Sequence, residues 1–133
     1  MTHDDVQGWL DRYVEAWRTY DPVKIGDLFA EDATHRYHAY DPEPIRGRAA
    51  IVADWIAIEN QDAPGSWTAH YEPFAVEGDK AVAVGESHYF QPDGSPRTVY
   101  YNLWTLRFDR DGRCTEFVEY FNELPKRLGG GGG

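Results

Sequence analysis

Over residues 80–91 the even positions run Val82, Val84, Glu86, His88 and Phe90, so a carboxylate and an imidazole share one face of an extended segment. Neighbouring segments repeat the pattern of polar groups among apolar ones. One gives Thr68, His70, Glu72, Phe74 and Val76, and the next gives Tyr100, Asn102, Trp104, Leu106 and Phe108. The last carries Glu119 between Phe117 and Phe121. Burying such groups is costly unless they pair with each other, with water or with a ligand. Gathered on one face, they make a wall suited to acid–base chemistry on a bound small molecule. Two other readings stand beside it. The odd positions also hold apolar residues (Val99, Tyr101, Leu103), so the faces are reversed if a bulge intervenes. Glu86 and His88, with His70 or His35, would also suit a metal, although no HExxH or CxxC spacing supports that.

The elements that must position these groups can be read in order. Thr2 or Asp4 can cap a first helix whose Val6, Leu10, Tyr13, Val14 and Trp17 recur at helical spacing. It ends near Tyr20, because Asp21-Pro22 caps a second helix with Pro at its first position. That helix is expected to bury Ile25, Leu28 and Phe29 and to stop around Glu31 and Asp32. Residues 33–40, with His35, Tyr37 and His38, read as a strand broken by Pro42 and Pro44. A third helix follows Gly47, with Ile51, Val52, Trp55, Ile56 and Ile58 expected inward. Strands are predicted over 66–77, where Pro73 marks a bulge or an edge, and over 80–91 after a Gly78-Asp79 turn. Two more follow, over 97–109 and 113–122. Helices first and an antiparallel meander after make an α+β domain with helices covering one face of the sheet.

Composition narrows the partners. The 133 residues carry a formal net charge of −10, which repels phosphate backbones and anionic lipid, so neither nucleic acid nor membrane is an expected partner. No apolar run approaches the roughly 18 residues of a membrane span, and the N-terminal residues are too charged for a signal peptide. Cys114 is the only cysteine, which rules out an internal disulfide and suits a cytoplasmic location. Gly129 to Gly133 have no side chains to pack and read as a linker or tail, leaving residues 1–128 as one domain. Aromatic residues make up 15% of the chain, which suits a pocket for a flat ligand or a dimer face.

From Val6 to Glu123 the chain resembles the SnoaL-like branch of the nuclear transport factor 2-like superfamily. The carriers are EAWRTYDPVKIGDLFAEDAT, the PIRGRAAI turn into the third helix and the closing NLWTLRFDRDGRCTEFVEYF. The resemblance implies a cone-shaped α+β barrel, with three N-terminal helices on a strongly curved, mostly antiparallel sheet around a pocket. It also implies a homodimer formed through the outer sheet face. Ketosteroid isomerase resembles the chain at Tyr13, but its two catalytic acids fall on Tyr37 and Trp104, so steroid isomerisation by that mechanism is not expected. The Asp-Arg-Asp set of limonene epoxide hydrolase has no clear counterpart. Scytalone dehydratase is similar at Tyr20-Asp21, at Tyr37, at Thr68-Ala69-His70-Tyr71 and at Asn102-Leu103, with His88 near its second pocket His.

That resemblance implies cofactor-free chemistry. His70 would take and return a proton near neutrality, oriented by Asp21 or Glu86. Tyr20 and Tyr37 would hydrogen-bond a substrate carbonyl and stabilise a developing enolate, and Asn102 would orient a hydroxyl. Tyr13, Trp17, Trp55, Tyr100, Trp104 and Phe121 would supply flat walls, with Glu86, His88 and Glu119 as further polar contacts. Simpler roles are also open: Asp21 as a helix cap, Tyr20 as a loop residue, and Tyr37, Trp17 and Trp55 as core. The expected activity is dehydration, isomerisation or cyclisation of a small cyclic or aromatic carbonyl compound. The alternative is a binding or accessory protein with the same pocket and no turnover.

Overall fold

Thr2 starts the first helix, α1 (His3–Thr19): its hydroxyl accepts from the Asp5 amide, and the Asp5 carboxylate accepts from the Thr2 amide. Val6, Trp9, Leu10, Tyr13 and Ala16 form the buried stripe of α1. Tyr20 closes it in the left-handed conformation (φ 50°), which costs a non-glycine residue free energy and needs an anchor. The computed structural model describes residues 1–126, so the glycine tail and the last residues of the expected domain lie outside the described part.

The second helix, α2 (Pro22–Asp27), is shorter than its sequence periodicity predicts, and Phe29 opens strand β1 (Phe29–Arg36) instead of closing the helix. Long-range bonds override the local pattern. The Leu28 carbonyl accepts from the Trp9 indole at 2.9 Å and from the Cys114 amide at 2.8 Å, which pulls the chain into the sheet. A two-residue strand, β2 (Ile45–Arg46), precedes α3 (Arg48–Ile56). Ile51 and Trp55 of α3 are buried, but Ile56 is 39% and Ile58 80% exposed, because α3 ends at Ile56 and a single 3-10 turn follows. Four long strands complete the domain: β3 (Trp67–Glu77), β4 (Lys80–Phe90), β5 (Pro96–Phe108) and β6 (Cys114–Glu123). The β3–β4 pairing shifts register between Pro73 and Ala75, the bulge its proline foreshadows.

The six strands form one open sheet in the order β2-β1-β6-β5-β4-β3, antiparallel except where β1 runs parallel to β6. This is the expected α+β architecture, with α1 packed on the sheet. Trp9 lies at the centre of the core, in aromatic contact with Tyr13, Phe29, Phe108 and Phe117. Burial of each such side chain contributes about 1.5–3 kcal/mol. Tyr101, Leu103 and Tyr120 are exposed at 43%, 39% and 46%, so the opposite parity of β5 and β6 is apolar yet uncovered. No helix among the described residues is long and apolar enough to cross a membrane.

The decisive local feature is the parity of β3 and β4. Trp67 and Tyr71 of β3, and Ala81, Ala83 and Ser87 of β4, are buried, while Glu72 and Glu86 are exposed. The inner face of β4 is therefore the run of small residues Ala81, Ala83, Gly85 and Ser87, opposite to the face expected from Val82 and Val84. Large rings from the neighbouring strands lie across these small residues. A Cβ at Gly85 would stand 2.2 Å from the His70 carbonyl oxygen and 2.3 Å from the Tyr71 ring. Only glycine lets Tyr71 cross this strand.

Candidate functional site

Strand register lays out the floor of a cavity of about 330 Å³. Tyr71, Gly85, Asn102 and Phe121 face one another across β3, β4, β5 and β6. In the next row Ala83 faces Trp104, which faces Glu119. His35 pairs with Phe117 and Arg36 with Val118, and Tyr37, just past the end of β1 rather than inside the expected strand, lines the same cavity as Glu119. Tyr13 and Trp17 of α1, Tyr20 at its C-cap and Trp55 of α3 form the helical wall. Aromatic rings therefore surround a few polar groups.

Those polar groups are ordered by specific bonds. The Tyr71 ring, crossing Gly85, brings its hydroxyl to 2.9 Å from the Asn102 amide nitrogen, which donates to it. Oδ1 of Asn102 and Nε1 of Trp104 are buried with no partner among the described residues. The Tyr37 hydroxyl donates to Asp54 of α3 at 2.5 Å, and Asn60 donates to the Asp54 carbonyl at 2.8 Å. Burial, and then this bond to Asp54, push the Tyr37 hydroxyl pKa far up. The strained Tyr20 is anchored by its hydroxyl, which accepts from the Asp62 amide at 2.8 Å, while the Trp17 indole donates to the Asp62 carboxylate at 3.0 Å. These bonds tie the segment after α3 to the cavity mouth.

Glu119 is the exception. Its half-buried carboxyl has no hydrogen-bond partner among the described residues, and burial alone raises its pKa from 4.5 to about 7. Burial also raises the hydroxyl pKa values of Tyr13, Tyr71 and Tyr89, and the Glu119 charge adds to each. A carboxyl that ionises near neutrality inside an aromatic cavity can both give and accept a proton at working pH.

The structure brings together Tyr13, Trp17, Tyr20, Tyr37, Trp55, Tyr100, Asn102, Trp104, Glu119 and Phe121 around this cavity. It does not bring His70, Glu86 or His88 there: they line a shallow depression on the other face of the sheet. His70 is exposed and pairs across the ladder with Glu86, whose carboxylate meets His88 Nε2 at 2.8 Å. The expected pocket His is therefore replaced, on the same strand, by Tyr71. Asp21 is the helix cap of α2, its carboxylate accepting from the Val23 and Lys24 amides, and does not line the cavity. Among the described residues no group of three His, Cys, Asp or Glu is placed to hold a metal. His35 sits in the core between Tyr37 and Phe117 with both ring nitrogens unpartnered, and burial lowers its pKa to about 3.

Sequence reasoning missed Tyr71, Ser87, Tyr89, Asn60, Asp62 and Arg97, all on the cavity wall. The signal for three of them was the alternation Ala81, Ala83, Gly85, Ser87, Tyr89: small residues at every second position mark a strand face crossed by larger neighbours.

Comparisons with known proteins agree with this architecture. No curated protein sequence matches the chain. Among solved structures, an LEH-like epoxide hydrolase from M. tuberculosis superposes with a TM-score of 0.64 at 12% identity, covering 90% of this chain and 84% of that one. A protein of unknown function with a cystatin-like fold, from Methylobium petroleophilum PM1, gives 0.67 at 19% identity, with 94% and 80% covered. Likeness at such identities speaks for the fold alone. The sequence profile of the SnoaL-like domain matches residues 10–117, and the chain belongs to that family.

Proposed function

We propose that the cavity is the active site of a cofactor-free acid–base enzyme that dehydrates, isomerises or cyclises a small cyclic or aromatic carbonyl compound. The observation that carries this reading is Glu119, a carboxyl without a partner, poised near pH 7 by burial amid aromatic rings. As the carboxylate it takes a proton from the carbon beside the substrate carbonyl, and as the acid it returns that proton to another atom. Tyr71 accepts from Asn102 and so keeps its own proton to offer to the substrate oxygen as negative charge develops there. Tyr37, its proton directed to Asp54, keeps its lone pairs in the cavity that Glu119 lines and can accept from a substrate hydroxyl there. Trp17, Trp55 and Trp104 hold the ring and exclude water.

Hydrogen–deuterium exchange tests this without knowledge of the natural substrate. Small cyclic ketones incubated with the protein in D2O are followed by proton NMR for loss of the signals beside the carbonyl. Wild-type protein is expected to accelerate exchange, and Glu119→Gln to lose about 10²–10⁴-fold, the usual contribution of a positioned acid–base group. Exchange at the wild-type rate in Glu119→Gln would overturn the assignment. Ligand binding in the cavity with no exchange for any ketone would instead identify a binding protein.

A further inference from the structure

Arg97 stands where the regular pairing of the sheet breaks. Tyr89 lies opposite Thr98 and Phe90 opposite Pro96, so Arg97 has no partner across the β4–β5 ladder. An extra residue of this kind is released from the strand's alternation and its side chain is re-aimed. The guanidinium carbon of Arg97 comes to 5.1 Å from the centre of the Tyr89 ring, on the cavity wall. Arg97 is the only cationic side chain on that wall, and it makes no ion pair among the described residues. The Asp62 carboxylate on the same wall accepts from the Trp17 indole through Oδ2.

We propose that Arg97 is a carboxylate-recognition subsite at the cavity mouth, and that the substrate is a flat ring compound carrying one carboxylate. This rests on the reading of the cavity as a ligand site. The floor holds no cation, while the mouth carries Arg97 as well as the Asp62 carboxylate, and that difference sets the orientation. At the floor, Glu119 ionises near neutrality and would repel an anion, and the aromatic wall cannot solvate one. At the mouth, the Arg97 guanidinium lies over the Tyr89 ring without an ion pair among the described residues, and its planar fork matches a carboxylate. The ligand therefore enters ring first, with its neutral reacting carbonyl toward Glu119 and its charge left at Arg97.

Matched acid–amide pairs test this: benzoate with benzamide, naphthoate with naphthamide, indoleacetate with indoleacetamide. Each is titrated against wild type, Arg97→Gln and Arg97→Lys near neutral pH, by tryptophan quenching and calorimetry. Wild type is expected to prefer the acid of at least one pair by about tenfold, the effect of one charge-assisted bond. Arg97→Gln should lose that preference while keeping the amide's affinity, and Arg97→Lys should retain part of it. An unchanged preference in Arg97→Gln, an equal loss for acid and amide, or a wild-type preference for amides would overturn the subsite and leave the cavity reading standing. No binding by any member of any pair would overturn both.

Discussion

Replacing Glu119 by Gln is expected to stabilise the protein while removing its proposed activity. The carboxyl has a pKa near 4.5 in an unfolded chain and about 7 in the folded one, because burial disfavours the charge. Between those values the folded state binds more protons than the unfolded state, so this group's contribution to stability falls as pH rises. Below about 4.5 the neutral acid costs nothing extra, and above about 7 the full penalty applies. A gap of this size corresponds to about 3 kcal/mol, reduced to about 2–3 kcal/mol because water reaches part of the side chain. Glutamine has the same shape and no charge to bury. Urea denaturation of both proteins from about pH 4 to about pH 8.5 measures the difference directly, since all other titrating groups are common to the pair. Glu119→Gln should match wild type at the acid end and exceed it by about 2–3 kcal/mol at the alkaline end. Equal or lower stability of the variant at about pH 8.5, or a difference that does not change with pH, would refute the reasoning.

Other substitutions probe the rest of the structure. His35→Leu removes a fully buried imidazole with no partner and should stabilise the protein by about 1–3 kcal/mol at neutral pH. Because the folded His35 resists protonation until about pH 3 while the unfolded one binds a proton below about 6.5, stability drains away as pH falls through that window. His35→Leu should flatten this acid limb in urea titrations, and an unchanged limb would contradict it. Gly85→Ala drives a Cβ into the His70 carbonyl and the Tyr71 ring, and should cost about 1–3 kcal/mol in denaturation as well as displace Tyr71 from Asn102. Wild-type stability there would mean that Tyr71 does not cross the strand. His70→Ala, on the outer face, should change stability by less than about 0.5 kcal/mol and leave ketone exchange untouched. A large loss of exchange would return His70 to the mechanism.

How far the sequence reaches can be judged at particular residues. The Gly78-Asp79 turn, the proline bulge at Pro73 and the Asp21-Pro22 helix start follow from local chemistry and are found where expected. Leu28 and Phe29 continue the helical period of α2, but the sheet claims them through bonds to Trp9 and Cys114, which are remote in sequence. The even face of β5 and the odd face of β6 place Asn102, Trp104 and Glu119 in the cavity as read. On β3 and β4 the hydrophobicity of Val82 and Val84 points the wrong way, because the inner face is filled by rings from its neighbours over alanine and glycine. That misplaces His70 and Glu86 and hides Tyr71. Arg97 is legible only from register, since nothing in Pro96-Arg97-Thr98 announces a bulge.

Proton transfer in the cavity requires Glu119 to ionise near neutrality. Carboxyl carbon-13 NMR of the Glu-labelled protein, with Glu119→Gln to assign the signal, follows that group through a pH titration. A midpoint near 7 is predicted, as expected for a carboxyl buried without a partner among aromatic rings. A midpoint near 4.5, where an ordinary glutamate titrates, would mean a solvated or paired side chain and would contradict a proton-transfer site built around it.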